Sequence, residues 1–536
     1  MEGWPVLGLE LVVALGVAIL ACSLGAEKLR IGAPLLLLAG GLALGFVPAF
    51  RQVELPSEVV LLLFLPALLY WESLTTSLRE IRSNLRGIVL TGTGLVLVTA
   101  AAVAFTAHAL GMPWGPAWVL GAALAPTDAT AVAVLARSLP HRNVTVLRAE
   151  SLINDGTALV IYAVAVGIVA GDGGYTPLSI SGILALSYGG GIVAGLLVAW
   201  AGIWVRRRIQ DPMLSNVATF VTPFAAFLLA EETGGSGVLA VVVVGLIMSQ
   251  AGPRVTAALA RRQSQAFWSF STFMLNAALF VLIGIELHVA VRLLDGPQIA
   301  VGLVAVAAVS VVLVLVRIAF LFSTTYLIRL IDRRPSQKLR RLSNRSRILS
   351  GLAGFRGAVS LAAALGVPAL TADGAPFPGR GQIIFVTAGV ILVTLTVQGP
   401  LLPVLVRWAR LPEDTRLEEE RRLAEVRAAE DGLATLPELA AGLGTDGRVV
   451  ERISHEYRHH LEVLRADGDA QLSGEPGPAL ERWQQETELR LALLERKRTV
   501  VLALRDERTI DDRVLRLLET RFDVEELRLT QPDRDE

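Results

Sequence analysis

The sequence predicts an all-α polytopic membrane protein that crosses the bilayer about 13 times and ends in a small helical soluble domain. Three observations lead to this fold class. Of 536 residues, 53% are hydrophobic and only 18% are charged, whereas soluble domains average about 25% charged residues. Apolar runs fill residues 1–410, and residues 411–536 are rich in charge. We therefore divide the chain into a transmembrane domain, 1–410, and a cytoplasmic α-helical domain, 411–536.

Segments long enough to cross a bilayer recur throughout the first domain. One crossing needs about 20 apolar residues. The first segment has no basic residue before Lys28, so it lacks the positive start of a secretory signal and is predicted to be retained as a helix. The candidate crossings are residues 6–25, 32–48, 58–75, 87–109, 115–136, 148–170, 179–205, 213–231, 236–252, 265–286, 297–328, 348–370 and 381–408.

The distribution of basic residues orients these crossings, because cytoplasmic loops are enriched in Lys and Arg. Alternate loops carry nearly all of them, and the opposite loops hold only Arg51, Arg292 and Arg380. This asymmetry predicts a multi-pass protein of the plasma membrane with its N-terminus outside and its C-terminus in the cytoplasm. The formal net charge of +0 gives no indication of nucleic-acid binding, and we expect the lipid bilayer as the surrounding partner.

Ionisable residues interrupt three crossings at a similar depth. Asp128 lies in the fifth crossing, Asp155 in the sixth and Arg356 in the twelfth. With a rise of about 1.5 Å per residue, all three lie roughly 10–14 Å from the cytoplasmic ends of their helices. A charge within the membrane costs at least about 2.5–3.5 kcal/mol and by default marks a functional site. The sequence therefore predicts one charged layer built from three helices.

Helical spacing sorts the polar residues of the sixth crossing into two strips. Glu150 and Asn154, four residues apart, share one strip, and Ser151 and Asp155 share the adjacent strip. One strip can pair with an arginine of the protein, and the other can offer oxygen atoms to a cation from solution. We predict a structural ion pair between Glu150 and Arg356, which leaves Asp128 and Asp155 as the exchangeable carboxylates. For Glu150 the alternative is a position in the interfacial loop.

Two crossings are predicted to be broken. Pro126 removes a backbone donor from the fifth crossing, and glycines at 351, 354 and 357 weaken the twelfth around Arg356. Interrupted helices at matching positions of two halves point to the binding site of a transporter. We therefore predict two inverted six-helix repeats around the seventh crossing. The repeats are inferred from the order of the crossings, since the halves show no clear residue-level similarity.

The polar segments resemble those of a known family. The segments "APTDATAVAVLA", "AESLINDGTALVIY", "FVLIGIEL" and "GLAGFRGAVSLAAALGVP" are similar in order and spacing to bacterial sodium/proton antiporters of the monovalent cation:proton antiporter family 1. This NhaP-like group is related to animal sodium/proton exchangers, and the resemblance covers residues 1 to about 410. It implies Na⁺/H⁺ antiport, a homodimer, and an elevator-like movement of a core domain against a dimerisation domain.

The resemblance also implies roles for individual residues. It implies that the cation is coordinated by Asp155, Asp128, Ser151 and the backbone of Thr127. The family likewise pairs the residues matching Glu150 and Arg356. Asn154 stands where an electrogenic family has a second aspartate, so we expect one cation exchanged per proton.

Three positions retain two interpretations. Glu72, on the third crossing, is either a further cation ligand or an interfacial residue. Arg317, on the eleventh, either matches a family arginine or extends its side chain to the inner surface. Ala129 follows Asp128 where many relatives have proline, so the position of the helix break in the fifth crossing is open.

Competition at a carboxylate, together with alternating exposure of the site to each side of the membrane, is sufficient for exchange. A buried carboxylate holds a proton or Na⁺ but not both, since each neutralises the same charge, and oxygen ligands suit a hard cation. The sequence has no phosphate-binding loop of the Walker type, and we expect a secondary transporter, not an enzyme, with no cofactor.

The alternative is the same fold exchanging K⁺ or Li⁺. A channel would need a continuous polar path, and an intramembrane aspartyl protease would carry "GxGD" where this chain has "LINDG".

Overall fold

The computed structural model describes residues 4–29, 32–47, 60–128, 141–171, 177–292, 294–331, 343–410, 416–473 and 478–530. Within these ranges every regular element larger than a single β-bridge is a helix. The chain forms two compact units, residues 1–413 and 414–536, and each is described by itself.

Helices of the first unit follow the apolar segments, because inside lipid a helix satisfies its backbone hydrogen bonds within one segment. Turns of π-helix precede α3 (Val60–Phe64), join α4 to α5 (Leu90–Leu95) and join α15 to α16 (Thr394–Gln398). The helices are α1 (Trp4–Leu29), α2 (Ala33–Gly45), α3 (Leu65–Thr75), α4 (Leu78–Val89), α5 (Val96–Ala109), α6 (Trp114–Leu124), α7 (His141–Ala170), α8 (Pro177–Arg206), α9 (Pro212–Glu232), α10 (Gly237–Val255), α11 (Ala258–Arg292), α12 (Gly296–Ile331), α13 (Asn344–Leu352), α14 (Ala358–Leu365), α15 (Arg380–Val393) and α16 (Gly399–Ala409).

The predicted all-helical membrane architecture is confirmed. Nine helices in the described ranges are long and apolar enough to cross a membrane, and two further apolar helices, Ala33–Gly45 and Leu62–Thr75, are shorter. The fifth and twelfth predicted crossings correspond to α6 and to the pair α13 and α14, which are too short to cross alone. The count of 13 and the inverted repeats therefore stay predictions.

Helix α7 begins at His141, seven residues before the predicted start of the sixth crossing. Hydropathy detects only the apolar part of a helix, whereas the backbone continues through the polar turns that precede it. Arg148, at the predicted start of this crossing, lies within α7 and on the same helical face as Asp155.

Both predicted interruptions are present. Helix α6 ends at Leu124, and residues 125–128 that follow it are non-helical. Helices α13 and α14 are separated by the non-helical residues 353–357, which include Arg356. The remainder of the fifth crossing, including Ala129, lies outside the described residues.

Helices α8, α10 and α3 pack into one group. A Cβ atom on Gly195 of α8 would lie 2.7 Å from the carbonyl oxygen of Ala240 on α10, so this close approach requires glycine. Side chains of Tyr70 on α3, Ala194 on α8 and Val241 on α10 belong to one buried apolar cluster. Because packed interiors deform little, these three helices form a rigid support.

A second buried apolar cluster surrounds the two interruptions. It includes Leu120 of α6, Tyr162 of α7, Val306 of α12, Leu361 of α14 and Ile384 of α15. The broken crossings are thus enclosed by protein, which is the condition under which irregular backbone is tolerated at membrane depth.

The second unit consists of four helices, α17 (Arg416–Leu443), α18 (Gly447–Ser473), α19 (Pro478–Asp506) and α20 (Asp512–Thr530). Each packs against the next one in sequence. Few of its apolar side chains are fully buried, and its charged side chains form surface ion pairs such as Arg465 with Glu430.

Candidate cation-binding site

The two interruptions are bonded to each other through their backbones. The Asp128 N–H donates to the Phe355 carbonyl at 2.9 Å, and Nη1 of Arg356 donates to the carbonyls of Ala125 and Pro126 at 2.6 Å each. These two carbonyls follow directly after α6, whose own last carbonyls lack partners within the helix. A cation at this end also complements the helix dipole. Arg356 therefore stabilises the break in the fifth crossing.

Helix α7 fixes Thr127 at two atoms. The Ser151 hydroxyl donates to the Thr127 carbonyl, and Nδ2 of Asn154 donates to the Thr127 hydroxyl at 2.7 Å. All three side chains are buried. The Oδ1 atom of Asn154 is buried and has no hydrogen-bond partner among the described residues. It is an oxygen atom that a cation can use.

Three carboxylates share this region. Asp155 on α7 is only 3% exposed, while Asp128 and Glu72 are partly buried. Glu72 interacts electrostatically with Asp128, and Asp155 interacts with both. Within the described residues no hydrogen bond or ion pair engages the Asp155 carboxylate. The cluster therefore concentrates carboxyl groups at the end of α6 and next to Asn154.

The acids do not form a ready metal cage. In the described part of the chain no group of three or more His, Cys, Asp or Glu side chains is placed to hold a metal ion. A cation bound here would instead take one or two carboxylates together with neutral oxygens. This mixture of oxygen ligands is suited to a hard cation, and the Oδ1 atom of Asn154 is available to such an ion.

The predicted ion pair between Glu150 and Arg356 is wrong. Arg317 of α12 places Nη2 2.7 Å from a carboxylate oxygen of Glu150, and the two side chains are 3% and 6% exposed. Its Nε atom also donates to the Ser350 carbonyl at 3.0 Å. Burial and pairing exclude the interpretation in which Arg317 reaches the inner surface. The non-helical residues 353–357 instead direct the Arg356 guanidinium to the carbonyls that follow α6.

Gly357 is a site residue whose role the sequence did not reveal. A Cβ atom at this position would lie 1.7 Å from Oδ2 of Asp128, so the Asp128 side chain occupies the space that any other residue would fill. Sequence reasoning treated this glycine only as a weak point in a helix. No local signal indicates the contact, because the two residues come from distant parts of the chain.

Comparison with known proteins identifies a family over the part of the chain that contains this site. The family model described as sodium/hydrogen exchanger, transmembrane, matches residues 12–408. The chain belongs to the sodium/hydrogen exchanger family. This membership confirms the predicted resemblance, and it makes the chain a multi-pass membrane transporter.

Two relatives and one solved structure extend this assignment. The exchanger is 46% identical over 533 residues to an uncharacterized Na(+)/H(+) exchanger of Mycobacterium bovis, covering 99% of this chain and 98% of that one. It is 29% identical over 451 residues to a sodium, potassium, lithium and rubidium/H(+) antiporter of Bacillus pumilus, covering 81% of this chain and 66% of that one. The sodium proton antiporter MjNhaP1 of Methanocaldococcus jannaschii superposes with a TM-score of 0.56 at 22% identity, covering 75% of this chain and 99% of that one, and so shares the fold.

Proposed function

We propose that this exchanger moves Na⁺ against H⁺ by alternating access, and that the two ions compete for the carboxylates of Asp155 and Asp128. One observation carries the proposal. The broken end of α6 brings Thr127 and Asp128 against α7 at Ser151 and Asn154, one residue from Asp155. Carboxylate and neutral oxygens thus converge inside an apolar domain, where an uncompensated charge is costly.

Exchange follows from the cost of an empty site. When the site holds neither ion, its carboxylate charge is uncompensated in surroundings of low dielectric. A proton or a sodium ion neutralises that charge, so the loaded forms change their exposure more easily than the empty form. The site then turns to the opposite side of the membrane with one ion bound and returns with the other. The opposing gradient supplies the energy, and neither a cofactor nor an enzymatic step is needed.

The other buried charges have supporting roles. Arg317 compensates Glu150, and Arg356 is committed to the carbonyls at the end of α6. Both arginines keep their charge throughout the cycle, because guanidinium is not deprotonated in proteins. We assign them to holding the geometry of the site and not to carrying the proton. Glu72 adds a third carboxyl group beside the two exchangeable acids.

The finer properties of the transporter are part of the same proposal. A neutral amide, Asn154, stands beside Asp155, which supports exchange of one cation per proton. The charge asymmetry of the loops supports a plasma-membrane protein with its N-terminus outside and its second unit in the cytoplasm. We also propose a homodimer, in keeping with the resemblance to the NhaP-like group.

Potassium is the second candidate cation. The Bacillus pumilus relative, which covers most of this chain, carries potassium, lithium and rubidium in its name beside sodium. Proton flux measured with Na⁺, Li⁺ and K⁺ supplied separately decides between the candidates. Flux driven by Na⁺ or Li⁺ but not K⁺ supports the sodium assignment, and equal flux with K⁺ overturns it.

The function is tested by replacing one acid in reconstituted vesicles. In purified protein, Asp155→Asn is expected to reduce Na⁺-driven proton movement to the background of empty liposomes, because the amide cannot exchange a proton. Asp295→Asn makes the same chemical change at an exposed loop position and is expected to retain full exchange. Size-exclusion chromatography confirms that both variants are folded. Full Na⁺-dependent proton movement by the Asp155 variant would overturn the assignment.

A further inference from the structure

A chain of hydroxyl groups joins the site helix to α8. The hydroxyl oxygens of Thr157 on α7 and Tyr188 on α8 lie 2.6 Å apart. The Thr157 hydroxyl also lies 2.9 Å from the Ile153 carbonyl; when it donates its one proton to that carbonyl, the Tyr188 hydroxyl is the donor to Thr157. These bonds end on α7 within one turn of Asp155.

The Thr157 end of this hydrogen bond lies inside the protein. Thr157 is 3% exposed and lies two residues beyond Asp155. Removing the hydrogen-bond partner of a hydroxyl that is buried away from water destabilises the protein. By contrast, the buried Tyr162 hydroxyl on the same helix has no hydrogen-bond partner among the described residues. It provides a matched reference for a tyrosine hydroxyl that forms no such bond.

Tyr188 lies on α8, whereas Thr157 lies on α7, which contributes Leu152 to the cluster of α3, α8 and α10 but belongs mainly to the cluster around the two interruptions. Helix α8 is fixed to α10, because the Ser236 N–H donates to the Ser187 carbonyl at 2.8 Å and Gly195 allows close packing. Helix α10 shares a buried cluster with α3. Thr157, in contrast, lies on the helix that holds the broken end of α6. The hydroxyl contact thus joins the α3, α8 and α10 group to the helix that carries Asp155.

We propose that the bond between Tyr188 and Thr157 is a latch that stabilises the access state of this structure and breaks when the site turns to the other side of the membrane. The proposal rests on the proposed function, because alternating access requires α7 to move relative to a second group of helices. Tyr188 is a positioning residue, since it acts on α7 and not on the ion.

Breaking the latch changes the balance between the two access states. A hydrogen bond of ordinary strength corresponds to an about two- to twelvefold change in an equilibrium between two states. The apparent affinity on each membrane face is the intrinsic affinity reduced by the fraction of protein open to that face. Loss of the latch therefore changes the ratio of the two apparent Na⁺ affinities by that factor. A role limited to folding would shift both affinities alike or neither.

The experiment measures the apparent Na⁺ affinity on each face, in right-side-out and everted vesicles. Tyr188→Phe removes the donor hydroxyl, and Tyr162→Phe removes the unbonded hydroxyl of α7. The first variant is expected to change the ratio of the two affinities about two- to twelvefold, and the second to leave it unchanged. Thr157→Val is expected to give the same change as Tyr188→Phe, and the double variant no further change, since both remove one bond.

The outcomes separate this proposal from the function on which it rests. Wild-type vesicles without Na⁺-driven proton movement would overturn the proposed function. Wild-type exchange together with an unchanged affinity ratio in Tyr188→Phe would overturn the latch alone. An equal shift on both faces would also overturn the latch, because it indicates a change in the site and not in the balance of states.

Discussion

Two ion pairs of nearly equal length lie in very different surroundings. Arg317 and Glu150 are 2.7 Å apart with 3% and 6% of their side chains exposed. In the second unit Arg498 and Asp523 are 2.6 Å apart with 31% and 62% exposed. Water and salt weaken the surface pair, whereas removal of one partner of the buried pair leaves an uncompensated charge. Exposure, and not distance, therefore decides how much each pair contributes.

The same difference explains which acids are available for exchange. Glu150 has a fixed partner inside the protein, and the surface acids have water. The Asp155 carboxylate is buried without a hydrogen bond or ion pair among the described residues, beside other acids. A carboxylate in that situation gains most from an ion that arrives from solution. The site is thus the place where the fold leaves a buried charge uncompensated.

The largest effect is expected from breaking the buried pair. Arg317→Met leaves Glu150 uncompensated and should destabilise the first unit by about 3–5 kcal/mol. The measurement is the thermal unfolding midpoint of the detergent-solubilised protein. Arg317→Met combined with Glu150→Gln removes both charges and should recover a large part of the loss. An unchanged midpoint in the single variant would contradict the importance of this pair.

A smaller effect on stability, but a large one on exchange, is expected from filling the space beside Asp128. Gly357→Ala places a methyl group where the Asp128 carboxylate lies, and overpacking of this kind costs about 1–3 kcal/mol. Because the acid must move, exchange is expected to fall at least tenfold. The matched control is Gly156→Ala on α7, whose added methyl group would meet only Val238 at an ordinary 3.8 Å. Normal exchange by Gly357→Ala would show that the position of Asp128 is not critical.

The smallest effect is expected in the second unit. Arg498→Ala removes a guanidinium that contacts both Asp523 and Glu526, yet these groups remain solvated when it is lost. The unfolding midpoint should not change measurably, at low or high salt. A decrease as large as that of Arg317→Met would show that exposure does not decide the contribution of a pair.

Hydropathy predicted the crossings, because the bilayer itself requires long apolar helices. Local chemistry predicted both interruptions, through Pro126 in the fifth crossing and the glycines around Arg356 in the twelfth. These are properties of short segments, so a single sequence contains them. The start of α7 was misplaced because its first turns are polar, and polarity does not end a helix.

The partners of the buried arginines could not be predicted in the same way. Depth along the membrane normal gives one coordinate, whereas a contact also depends on rotation around that normal and on the direction of a non-helical segment. Glu150 was predicted to pair with Arg356, but it pairs with Arg317, for which no partner was predicted, and Arg356 contacts the carbonyls that follow α6. The contacts of Gly357 with Asp128 and of Tyr188 with Thr157 join distant parts of the chain and leave no local pattern.

The central claim is that Na⁺ and H⁺ occupy the same carboxylate site, and the pH dependence of the Na⁺ requirement tests it most directly. In proteoliposomes the Na⁺ concentration that gives half-maximal proton flux is measured at a series of pH values on the side to which Na⁺ is added. Competition predicts that this concentration rises as the pH falls, while the flux at saturating Na⁺ stays constant. A half-maximal concentration that does not change with pH, together with a maximal flux that does, would contradict a shared site.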